Sequence, residues 1–114
     1  MIYDMETFSS GFGFSALQQT TVSNESSILV LLENKLTRYY RPGFHLFAPY
    51  VHGENSLLVL SKKLDANSEA TNIELCNLVS SLCSVLFSSE NFIKYVMFDG
   101  NGVFFLERYK ESKV

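Results

Sequence analysis

The chain of 114 residues has no tryptophan, two cysteines, two histidines and two prolines. Aspartate is also scarce, present only as Asp4, Asp65 and Asp99. These shortages exclude several chemistries. His45 and His52 sit on one stretch and Cys76 and Cys83 on another, so no close pair of ligands marks a zinc site. No metal and no cofactor is expected. Asp65 reads as a helix cap and Asp99 as part of a turn, and no two carboxylates have a spacing that singles them out for acid–base work. Cys83 lies amid Leu82, Val85 and Leu86, and a thiol in apolar surroundings is normally inert as a nucleophile. The expectation is a protein that is not an enzyme. A small enzyme or ligand-binding domain built on His45, His52 and the Tyr39-Tyr40 segment has the least support.

Basic charge is in short supply too. Nine Lys and Arg stand against twelve Asp and Glu, for a net charge of −3. Proteins that neutralise several phosphates usually carry a basic balance, so nucleic acid is not the expected partner. Long apolar runs are missing. The longest aliphatic run, Ile28 to Leu32, is far short of the ~20 residues of a membrane-spanning helix. The opening Met1-Ile2-Tyr3-Asp4-Met5-Glu6 has neither the basic nor the apolar region of a secretory signal.

What is present is ordinary apolar content, 46%, with ten Phe and six Tyr. The length suits one hydrophobic core and therefore a single domain over 1–114. Gly11-Phe12-Gly13 is only a fragment of a phosphate-binding loop and reads as backbone freedom near a strand start. A strand is expected from Ala16 to Val22 and another from Ser27 to Glu33, with Ser23 to Ser26 as a turn. Residues 34–43 are ambiguous, up to the break at Pro42-Gly43. Phe44 to Val51 reads as a strand that Pro49 confines to a sheet edge. His52 to Asn55 is a turn, and Ser56 to Leu64 follows as a strand.

The spacing of Ile73, Leu75, Cys76, Leu78, Val79, Leu82, Cys83, Val85 and Leu86 predicts a helix over about 68–88, preceded by capping residues at Asp65, Asn67 and Ser68. On such a helix Cys76 and Cys83 lie ~10 Å apart along the axis. That is too far for a disulfide, so the cysteines are expected reduced and the protein intracellular, in cytoplasm or nucleus. At the C-terminus, 92–98 and 103–109 flank Asp99-Gly100-Asn101-Gly102 as a hairpin. The preferred register sets Phe98 against Val103, Val96 against Phe105, Lys94 against Glu107 and Phe92 against Tyr109. The expected fold is thus α+β: a mostly antiparallel sheet of five or six strands, with one long helix on one face.

Two features point to a protein partner. From Leu75 to Ser89 there is no charged residue, and on a helix Asn77, Ser81, Ser84 and Ser88 would form an uncharged seam away from the apolar stripe. The strands at 28–32, 57–60, 92–98 and 103–106 are apolar on both faces, and such strands are normally covered on both sides. One helix covers one face; the N-terminal segment and the 34–43 region are candidates to cover part of the other, and a second copy or another protein is expected to supply the rest. Arg38, Tyr39, Tyr40 and Arg41, with Lys35, form the one basic-aromatic patch and a second candidate contact. The expected function is a non-catalytic interaction module, such as a subunit, adaptor or assembly chaperone, acting as homodimer or heteromer. A small acidic inhibitor that blocks a target is the alternative.

Overall fold

The stretch of about 68–88, whose spacing suggested a helix, holds two extended segments, 71–77 and 83–89, joined by a turn. The computed structural model describes residues 2–21, 25–64, 67–107 and 110–114. Its strands are β1 (Ile2–Gly11), β2 (Phe14–Thr21), β3 (Ser26–Leu32), β4 (Lys35–Tyr39), β5 (Phe44–Gly53), β6 (Ser56–Lys63), β7 (Thr71–Asn77), β8 (Cys83–Ser89), β9 (Ile93–Phe98), β10 (Val103–Glu107) and β11 (Lys110–Lys113). Among the described residues there is no helix. The expected α+β fold with a packed helix is therefore overturned, and the chain is all-β.

Why the helical reading fails is visible in the side chains. Ile73 is fully buried in one core and Cys76 in the other. Glu74, between them, is buried rather than exposed. That is the two-faced alternation of a central strand. Asn77, Ser80 and Ser81 are poor helix formers because their side chains compete for backbone groups. Here they build the turn that reverses the chain.

The strands form three antiparallel sheets, each a run of neighbours: β1-β2-β3-β4, β5-β6-β7-β8 and β11-β10-β9. The middle sheet lies between the other two. Leu46, Val51, Leu57, Val59 and Cys76 pack on Phe14, Ala16, Ile28, Val30 and Tyr39 of the first sheet. Phe47, Leu58, Leu60 and Ile73 pack on Ile93, Val96, Val103 and Phe105 of the third. Successive residues of a strand point to opposite faces, so the Leu57-Leu58-Val59-Leu60 run of β6 feeds both cores in turn. Each such side chain contributes ~1.5–3 kcal/mol on burial.

This corrects part of the sequence reading. The second face of 57–60 is covered by the chain's own C-terminal hairpin, not by a partner. Ile28 and Val30 are likewise buried within the chain, and Leu29 on the opposite face is nearly so, while Leu31 is exposed. In the C-terminal hairpin, Ile93, Val96, Val103 and Phe105 face inward and Tyr95 and Met97 are exposed.

The tight turns follow from local chemistry. Phe12 and Gly13 both have positive φ, as do Glu33 and Asn34. Each pair joins directly partnered strand ends, Gly11 with Phe14 and Leu32 with Lys35. These are the two-residue hairpin turns that match strand twist. The ambiguous 34–43 segment is thus a turn followed by β4, the edge strand of its sheet. Pro49 does sit on an edge, since β5 flanks β6 alone in its sheet. The ladder shifts between Phe47 and Tyr50, Ala48 takes φ 51°, and its N–H donates to Gln18 Oε1 at 3.1 Å.

The C-terminal hairpin has the preferred register at its tip: Phe98 faces Val103 and Val96 faces Phe105. A bulge then slides Glu107 opposite Ile93 instead of Lys94. Glu107 accepts from Ser89 Oγ at 2.8 Å and Asn91 Nδ2 at 2.9 Å. The expected Phe92–Tyr109 pair involves Tyr109, which lies outside the described residues. No helix among the described residues is long and apolar enough to cross a membrane.

Candidate functional site

The uncharged stretch 75–89 spans the end of β7, a turn and β8, which is the outer strand of the middle sheet. Cys76 and Cys83 face each other across the two strands. They are joined in a disulfide with Cα atoms 4.0 Å apart. The distance that kept them apart belonged to the helix; on a hairpin, seven residues of separation bring them together. A Cys-x6-Cys spacing around an Asn- and Ser-containing segment is the signal that could have revealed the hairpin.

Asn77 organises the enclosed turn. Its Oδ1 accepts from the N–H of Val79 at 2.8 Å and of Ser80 at 3.0 Å. Its backbone N–H donates to Leu82 O, and its carbonyl accepts from Ser81 N–H. Ser81 has φ 60° and hydrogen-bonds the Tyr39 phenol. Leu78 N–H donates to Asn55 O at 2.8 Å, which fastens the turn to the neighbouring hairpin.

The seam expected of a helix does not exist. Ser84 lies opposite Leu75, while Ser88 lies opposite Asn72 and donates to its Oδ1 at 2.7 Å. A bulge at Leu86 separates the two serines, and they point to opposite faces of β8. What stands out instead is apolar. Val79 is 76% exposed, Leu82 71%, Val85 57% and Leu86 43%. Sequence reasoning placed Leu82 and Val85 in the core stripe and so missed them as surface residues.

The basic-aromatic patch divides into separate structural tasks. Arg41 grips Glu74 from both sides, Nη1 to Oε2 and Nη2 to Oε1, each at 2.7 Å. Ser61 Oγ also donates to Glu74 Oε2. Burial pushes the Glu74 carboxyl up, but the Arg41 and Ser61 hydrogen bonds and the Arg41 charge together outweigh it and hold the group below its ordinary value. Arg38 donates to Ser27 Oγ at 3.0 Å and Gln19 Oε1 at 3.1 Å. Tyr40 donates to Glu25 Oε2 at 2.7 Å, which raises its phenol pKa. Tyr39 is buried in the first core, and that burial raises its pKa in turn.

The fold does bring the two sequence candidates to one place. A cleft of about 560 Å³ is lined by Val30, Leu36 and Tyr39 on one side and Leu78, Val79 and Ser81 on the other, with Lys35 and Arg38 also in its wall. Of the serines and asparagine singled out in the sequence, Ser81 therefore meets the 38–39 segment, whereas Asn77 holds the turn and Ser84 and Ser88 lie further along β8.

Glu74 and the two sulfurs lie within 4.8 Å of one another. The sulfurs are bonded to each other and Glu74 is held by Arg41 and Ser61, so this is not a thiolate metal site. His45 stacks on Phe47, with ring centroids 4.6 Å apart. His52 lies against Phe98 at 4.3 Å and hydrogen-bonds Ser56 Oγ through Nδ1 at 2.8 Å. Both rings serve packing. Comparison with family models, curated proteins and solved structures finds no match to this chain.

Proposed function

We propose that this protein is a non-catalytic interaction module that binds another protein through the β8 edge and the adjoining 77–82 turn. The observation that carries the reading is the exposed, charge-free edge strand with Val85 and Leu86 on it. An open strand edge is a template for another chain, and proteins normally blunt such edges with charge or a covering element. From Leu75 to Ser89 this chain has no charge. Four exposed apolar residues between 79 and 86 add the kind of patch that marks protein contacts.

The disulfide supports the reading by fixing the turn that carries Val79 and Leu82, which lowers the ordering cost of binding. It also bears on setting. The intracellular expectation rested on reduced thiols, and a cystine favours an oxidising compartment.

The test is capture by the oxidised wild-type chain compared with a V85K/L86E variant of unchanged melting temperature. A specific bound chain, identified by mass and absent with the variant, is the expected result. Equal capture by both, or none by either, sinks the reading.

A further inference from the structure

Resting on that reading, we infer that the Cys76–Cys83 cystine is a redox switch for it. Closed, it holds residues 78–86 in the order that binding needs. Opened by a dithiol, it frees them while both cores stay packed. β8 has few other anchors. Of its seven residues, only Cys83 and Phe87 pack against a core, while Ser84, Val85, Leu86 and Ser88 are exposed. Its one neighbour in the sheet is β7, through a ladder whose register shifts between Ile73 and Glu74. β7, by contrast, sends Thr71, Ile73, Glu74 and Cys76 into the interior. A segment with few buried apolar contacts opens locally at low cost, whereas core strands open with the whole domain. Phe87, whose ring lies 5.0 Å from that of Phe105, pins the far end of the weak segment. The cystine pins the near end.

The turn between them is held largely from within. Asn77 Oδ1 accepts from Val79 and Ser80 N–H, and its carbonyl accepts from Ser81 N–H. Two ties reach out of the loop: Leu78 N–H to Asn55 O at 2.8 Å, and Ser81 to the Tyr39 phenol. The second depends on Ser81 keeping φ 60°, a left-handed conformation that a serine holds only while its surroundings impose it. Opening the S–S bond removes the constraint at the base of the loop, and the Ser81–Tyr39 tie goes with it.

The bond is also placed for exchange. Cys76 is buried, at 2% exposure, so an attacking thiolate reaches Cys83, which is partly exposed. No charged residue from 75 to 89 repels that anion, and the neighbouring Glu74 carboxylate is neutralised by Arg41. The reductant's sulfur bonds to Cys83 Sγ as the S–S bond breaks, and Cys76 leaves with the electron pair and takes a proton from water. The reductant's second thiol then displaces Cys83 in the same way. The chain gains two electrons and two protons, and the dithiol ends as a disulfide. The chain has no third cysteine, so each thiol has one partner within it to re-form with.

The experiment compares the oxidised chain, the chain treated with dithiothreitol in the absence of denaturant, and C76A/C83A. Backbone NMR relaxation reads local order, and binding is measured to the chain identified by mass in the capture test. Dithiothreitol is expected to open the cystine in the folded protein. Order parameters at 78–86 are expected to fall from about 0.85 to below about 0.6, with those at 57–60 still in the rigid range. The captured chain is expected to bind the reduced protein and the variant about tenfold more weakly or worse, because the ordering cost returns. A cystine that opens only after urea has unfolded the chain overturns the proposal. So does a reduced chain that keeps 78–86 rigid, or one that loses the order of 57–60 as well. If 78–86 loses order yet the captured chain binds both forms equally, the switch fails and the binding reading stands. If the oxidised chain captures nothing, both fail.

Discussion

Arg41 and Glu74 lie 33 positions apart in the chain, yet the guanidinium meets both carboxylate oxygens at 2.7 Å. Glu74 sits mid-strand with 3% of its side chain exposed, and Arg41 is about a third exposed at 36%. The pair, with Ser61, is what allows a carboxylate to occupy the middle of β7. Removing Arg41 leaves the buried Glu74 carboxylate without its counter-charge. Arg41→Met is expected to destabilise by about 3 kcal/mol, the lower end of the range for a broken buried pair, because Arg41 is partly solvated. The triple change Arg41→Met, Glu74→Met and Ser61→Ala removes all three polar groups and should recover most of that loss. Urea unfolding of the two variants measures the difference.

The same carboxyl predicts acid sensitivity. Its folded-state pKa is depressed, so its stabilising contribution is complete above the unfolded value of about 4.3. It is lost as the pH falls through the lower folded value. Unfolding free energy followed downward from neutral pH should drop across that window. The triple variant should show a shallower acid limb there, and an identical limb would refute the assignment.

The cystine gives a third expectation. Closing a loop of about eight residues is worth ~2.5 kcal/mol by chain entropy. Cys76→Ala with Cys83→Ala should lower stability by about that amount. A thiol titration of the denatured, unreduced chain should find no free sulfhydryl, since both cysteines are paired.

The two cores and the exposed edge separate cleanly by truncation. Leu58→Ala should cost roughly 2–5 kcal/mol, for Leu58 is wholly buried between the middle and third sheets. Leu82→Ala should stay within about 0.5 kcal/mol. On a helix Leu82 would have been core, so this pair of measurements decides between the helix and the hairpin.

About half of the strands were legible in the sequence, near 16–22, 27–33, 44–51, 56–64, 92–98 and 103–109, and the reason lies in turn chemistry and alternation. Asp99 to Gly102 announced the C-terminal hairpin, and Pro49 announced an edge. The 68–88 stretch was misread because apolar residues at 73, 75, 76, 78, 79, 82, 83, 85 and 86 satisfy helical spacing and a bulged two-strand path alike. Glu74 looked like a favourable charge near a helix start. Only its distant partner Arg41 reveals a buried strand position, and that pairing has no local signature. The charge-free stretch was visible as a feature, but its geometry was not: as a hairpin it exposes Val85 and Leu86 rather than a line of serines.

The stacking order has a consequence for synthesis. All three sheets pair only strands adjacent in the chain, so each ladder can close as its residues emerge, at small loop-closure cost. The layers do not finish together. When β6 leaves the ribosome, all the strands of the first sheet, on which Leu57 and Val59 pack, have already been made. The surface that will receive Leu58 and Leu60 lies in residues 93–107, not yet made. Until residues 93–107 are made, the face that carries Leu58 and Leu60 has no cover within the chain, and the C-terminal hairpin is the lid that closes it.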